Sequence, residues 1–102
     1  MNSVGKLIQS ARLSKNISLN QVANNLKISL HTLQRIEDDN IMLDADVVFY
    51  IGHIRSYSDY LDLDTNEIIG IFKEQISYKK NHHAEKILKP DFNNNLITFK
   101  KF

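Results

Sequence analysis

The sequence predicts an all-α domain of five helices over residues 3–78, followed by a basic, Asn-rich tail at 79–102. Three observations carry this. Apolar residues recur at steps of three and four rather than two, the period of a helix with one buried face. Helix-start residues stand just before several of these runs. The chain has one Pro and three Gly in 102 residues, so little interrupts a helix interior.

The elements follow in order. Ser3 caps a first helix at 3–15, with Val4, Leu7, Ile8 and Ala11 on one face. Ser18 and Gln21 form a capping box, and Ile17 with Val22 the matching hydrophobic staple. They open a short second helix at about 19–26 that buries Leu19, Val22, Ala23 and Leu26. "KIS" is a three-residue turn. Ser29 caps the third helix, and Ile28 with Leu33 repeats the staple. Leu33 and Ile36 point inward, while His31, Thr32, Gln34 and Arg35 point elsewhere. Asp38, Asp39 and Asn40 end that helix, because short polar side chains compete for its backbone bonds. Residues 40–45 are read as a loop anchored by Ile41 and Leu43, and a fourth helix spans about 46–61. Asp64 with Glu67 reads as another capping box, opening a fifth helix at about 65–78 with Ile68, Ile71, Phe72 and Ile76 inside.

The fourth helix carries more apolar surface than one buried stripe requires. Val47, Tyr50 or Ile51, Ile54, Tyr57 or Ser58 and Leu61 suffice to face a core. Phe49, His53, Ser56 and Tyr60 form a second line at the same spacing, and its purpose needs a separate explanation.

Composition excludes several classes of function. With 42% hydrophobic residues the chain can build a small core. Without Cys there is no disulfide, thiolate metal site or Cys nucleophile, which fits a reducing, cytoplasmic compartment. No apolar run approaches signal-peptide or membrane-helix length. A net charge of +1 neither demands nor forbids a nucleic-acid partner. No catalytic constellation, phosphate loop or pair of buried carboxylates is legible, so the sequence predicts no enzyme, cofactor or small-molecule substrate. His82, His83 and Glu85 are the one metal-like cluster. Adjacent helical residues point about 100° apart, so they are read as a solvated basic segment.

Two short helices joined by a three-residue turn, each with cap and staple, are the helix-turn-helix arrangement, although an ordinary helical bundle also contains such pairs. "SLNQVANNLKISLHTLQRIEDD" resembles the helix-turn-helix of the phage-repressor-like (Xre) family. The continuation "IRSYSDYLDLDTNEI" is similar to the run that follows this motif in RodZ-type cytoplasmic domains. The resemblance covers about residues 4–78. It implies a bacterial cell-shape adaptor linking the inner membrane to the actin-like filament protein MreB. The family's aromatic docking positions fall on Phe49 and His53, where His53 departs from the family's Tyr. With Tyr60 these are the expected partner-binding residues. Aromatic side chains on an exposed helix suit such a role because a flat ring buries much area at little entropic cost. Tyr57 is read as core, with its hydroxyl bonded, and Arg55 as paired to Glu67 or Asp59.

The alternative is a sequence-specific DNA-binding regulator that inserts the third helix into the major groove. Its readers would be His31, Thr32, Gln34 and Arg35, with Leu30 at the helix start. Three features weigh against it. Leu19 stands where repressor-like sequences usually carry a phosphate-contacting Gln. Leu30 is apolar, and Glu37, Asp38 and Asp39 would repel the backbone. Gln34 and Arg35 are then a solvated face, with Arg35 paired to a nearby acid. Lys27 stands for the usual turn Gly, a change read as neutral. The tail's Lys79, Lys80, Lys86 and Lys89 suit an anionic membrane surface at the cytoplasmic face of the inner membrane, and its ending "LITFKKF" is alternatively an added strand or a segment packed on the bundle.

Overall fold

The computed structural model describes residues 3–41 and 47–88, with side chains through Tyr78. Five helices follow in order: α1 (Val4–Ser14), α2 (Leu19–Leu26), α3 (Leu30–Glu37), α4 (Val47–Tyr60) and α5 (Thr65–Leu88). There is no strand among the described residues, so the fold is the all-α one expected. The fifth helix differs in length: it runs to Leu88, not 78. Ile76 still packs against the core, and the absence of Pro or Gly from 71–88 lets the backbone bonding continue past it. Residues 89–102, and with them Lys89, lie outside the described residues, as do the side chains of Lys79, Lys80 and Lys86.

The starts of α1, α2, α3 and α5 are closed locally. Ser3, Ser18 and Ser29 have extended backbone, and their hydroxyls accept from the amides of Lys6, Gln21 and Thr32. At Ser18 the box is reciprocal: the Gln21 side chain accepts from the Ser18 amide at 3.3 Å. At α5, Asp64 Oδ1 accepts from the Glu67 amide at 3.3 Å.

The ends of α1, α3 and α4 share one device that contains no glycine. Asn16, Asp39 and Asp62 adopt positive φ just past α1, α3 and α4. In each case the next amide reaches back five residues: Ile17 to Arg12 O, Asn40 to Arg35 O and Leu63 to Ser58 O. These are Schellman closures, and Asn and Asp tolerate the left-handed conformation better than most residues. Lys27 ends α2 at φ 58. Its replacement of Gly is therefore not neutral for the backbone, because a side chain with Cβ is disfavoured there by about 1 kcal/mol.

The core gathers Val4, Ile8, Val22, Ile28, Leu33, Ile36, Ile54, Tyr57, Leu61, Ile68, Ile69 and Phe72. α1 packs on α3 and α4 packs on α5, while α2 bridges α3 and α4. The start of α1 is fastened by α3 and α5 together. Asp39 accepts from the Ser3 hydroxyl and from the Gly5 amide (2.9 Å), and Gln75 Oε1 accepts from the Val4 amide at 2.6 Å. Gly5 is required here: a Cβ would stand 2.5 Å and 2.6 Å from the carbonyl oxygens of Glu37 and Ile36.

Candidate functional site

Two surfaces carry the candidate residues, the outer side of α3 and the outer side of α4. On α3, Leu30 and His31 are exposed. Thr32 is half-buried, and its hydroxyl accepts from Ser29 Oγ at 2.8 Å. Gln34 is exposed and donates to Asp38 Oδ1 at 3.1 Å. Arg35 is half-buried with Nε enclosed and unbonded, and no ion pair joins it to an acid among the described residues. Of the four base-reading candidates, only His31 and Gln34 stand fully on the surface.

The acidic end of α3 also differs from the expectation of a repulsive cluster. Glu37 is buried, and its carboxylate is held by a bidentate Arg12 (Nε 2.7 Å, Nη2 3.0 Å), by Gln9 (3.3 Å) and by the Tyr57 hydroxyl. Arg12 also donates to Ile17 O at 2.9 Å. Asp39 is occupied at the start of α1. Asp38 alone of the three is exposed. Acidic repulsion is thus a weaker objection to DNA than the sequence suggests, because a paired and buried charge projects little field. The Arg12 pKa is raised chiefly by its hydrogen bond to Glu37, against an opposing effect of burial. The Tyr57 pKa is raised first by burial and then by the Glu37 bond.

On α4, the core-facing stripe comprises buried Ile54, Tyr57 and Leu61, with Val47, Tyr50 and Ile51 packed at its edge. On the other side Phe49 is 68% exposed. Its neighbour Val48, which belongs to neither line of the helix, is 74% exposed. His53 is half-buried and meets the Tyr50 ring edge-on, with centroids 6.2 Å apart. Tyr60 follows Phe49 by eleven residues, about 16 Å along the axis on nearly the same face. It is half-buried, and its hydroxyl accepts from Asn25 Nδ2 at 2.7 Å, so it ties α4 to α2. The three partner-binding candidates therefore share a face but not a condition. Phe49 projects, His53 leans on a ring and Tyr60 is fastened to the fold. Arg55 is exposed and pairs with neither Glu67 nor Asp59, whose carboxylate accepts instead from the Thr65 hydroxyl.

A capped eight-residue helix, a left-handed turn and a second capped eight-residue helix, buttressed by three more, define a helix-turn-helix protein. The chain belongs to the helix-turn-helix domain family, whose model matches residues 7–68. No solved structure matches the chain. No described helix is long and apolar enough to cross a membrane.

Proposed function

We propose that this domain is a protein-interaction adaptor of the bacterial cell-shape machinery, binding an actin-like filament protein of the MreB type through α4. The observation that carries this reading is the exposure of Phe49 beside Val48 on the helix after the helix-turn-helix. Two adjacent large apolar side chains in water serve no purpose in the free domain, and aromatic anchors of this kind are where interface energy concentrates. The RodZ-like run at 54–68 points to the same partner class. His53 and Tyr60 flank the anchor, the first as a contact and the second as a support for the helix.

The experiment is a co-sedimentation of the domain with MreB filaments, beside thermal melts. Phe49→Ala should change folding stability by no more than about 0.5 kcal/mol, because the side chain is largely solvated. It should weaken filament binding by about 2 kcal/mol, roughly 30-fold. Changes at His31 and Gln34 should leave binding intact. The rival reading, a DNA-binding regulator, predicts the reverse. A duplex library would then enrich one site, binding would show a steep salt slope, and substitution of Gln34 would abolish it.

A further inference from the structure

Gly52 has no reason within the free domain to be glycine. It sits in the interior of α4, where its φ is not positive, and a Cβ built on it meets nothing within 4 Å. Glycine in a helix interior destabilises relative to alanine, so the position carries a cost that no local contact offsets. Its surroundings differ from those of α5's Gly70, which is equally open. Around Gly70 the exposed neighbours are Asn66, Glu67, Lys73 and Glu74. Around Gly52 they are Val48, Phe49, Arg55 and Ser56, at helical spacings of three and four. Val48 and Phe49 thus stand one turn before a bare strip of backbone, and Arg55 stands one turn after it.

Resting on the adaptor reading above, we infer that Gly52 is a specificity-determining position of the α4 surface, a notch where the partner's backbone approaches α4 more closely than any side chain would allow. The occupant is a protein segment that is apolar where it meets Val48 and Phe49 and acidic where it meets Arg55. Glycine suits close backbone approach because it lacks Cβ. The acidic half follows from charge: among the described residues no carboxylate pairs with Arg55, so its guanidinium is available to a fork-like contact. Asp59, one turn further, is already engaged by Thr65.

The inference is tested on the whole chain with four variants, each measured by thermal melt and by co-sedimentation with MreB filaments. Gly52→Ala should raise the melting temperature by about 3–8 °C, the effect of helix propensity on a domain of this size, yet weaken binding about tenfold or more. Gly70→Ala should raise the melting temperature similarly and bind as wild type. Arg55→Glu should weaken binding, with the loss shrinking at high salt. Phe49→Ala reports on the adaptor reading itself. If Phe49→Ala weakens binding while Gly52→Ala binds as wild type, the notch is refuted and the adaptor survives. Unchanged binding by Arg55→Glu overturns the acidic occupant. A Gly52→Ala variant less stable than wild type would show a structural role and remove the inference. Absence of binding by the wild-type chain, or full binding by Phe49→Ala, refutes the adaptor and the notch with it.

Discussion

Replacing Arg12 by methionine removes the cation from a carboxylate that has nowhere else to turn. Glu37 has 1% of its side chain exposed, so water cannot take the place of the two guanidinium bonds at 2.7 Å and 3.0 Å. What remains is the Tyr57 hydroxyl and one Gln9 contact at 3.3 Å. Removing one partner of a buried ion pair costs about 3–5 kcal/mol, because the other charge is left desolvated. Domains of this size have only about 5–15 kcal/mol in total. Urea melts of Arg12→Met should therefore show a large fall in midpoint, with the α1–α3 contact loosened. The double variant Arg12→Met/Glu37→Leu should recover much of the loss, since apolar replacement of a whole buried pair is often near neutral. It should stop short by about 1–3 kcal/mol because the Tyr57 hydroxyl loses its acceptor. An Arg12→Met variant within about 1 kcal/mol of wild type, no better in the double variant, would refute the view that Arg12 neutralises Glu37.

Two further outcomes follow from the same geometry. Gly5→Ala should destabilise by about 1–3 kcal/mol in a urea melt, despite alanine's better helix propensity, because its Cβ would press on two backbone oxygens that cannot rotate away. The same substitution thus has opposite signs at Gly5 and Gly52. Tyr57, whose pKa is raised by burial and by Glu37, keeps its proton in the folded state while the unfolded chain loses it near the ordinary value of about 10. Its contribution is complete below pH 10 and declines as pH rises further, by about 1.4 kcal/mol per unit. Wild type minus Tyr57→Phe, measured by melts from pH 9 to 11, should show that decline, and parallel profiles would contradict it.

The reach of the sequence can be judged residue by residue. Ser18 with Gln21 and Ser29 with Thr32 were legible because a cap bonds three residues away, within the chain's own local geometry. The core stripe of α4 was legible because a helical period fixes which residues share a face. The projection of Phe49 was anticipated on the same ground, whereas Val48 was not, since either residue could have closed over the core. Glu37 was misread as a surface acid because Arg12 lies 25 residues away and Tyr57 lies 20. Tyr60 was grouped with Phe49 by periodicity, but its hydroxyl is fixed by Asn25, 35 residues distant.

The sequence by itself determined the helices, their starts and the helix-turn-helix, because these rest on hydrogen bonds and apolar spacing that span a few residues. Only the tertiary structure decided which charged and aromatic groups are engaged within the fold and which face the solvent. Burial depends on what a distant helix places opposite each side chain. The Arg12–Glu37 pair and the Asn25–Tyr60 bond exist because α1 meets α3 and α2 meets α4. The exposure of Phe49 and the bare backbone at Gly52 exist because nothing in the described fold covers that side of α4.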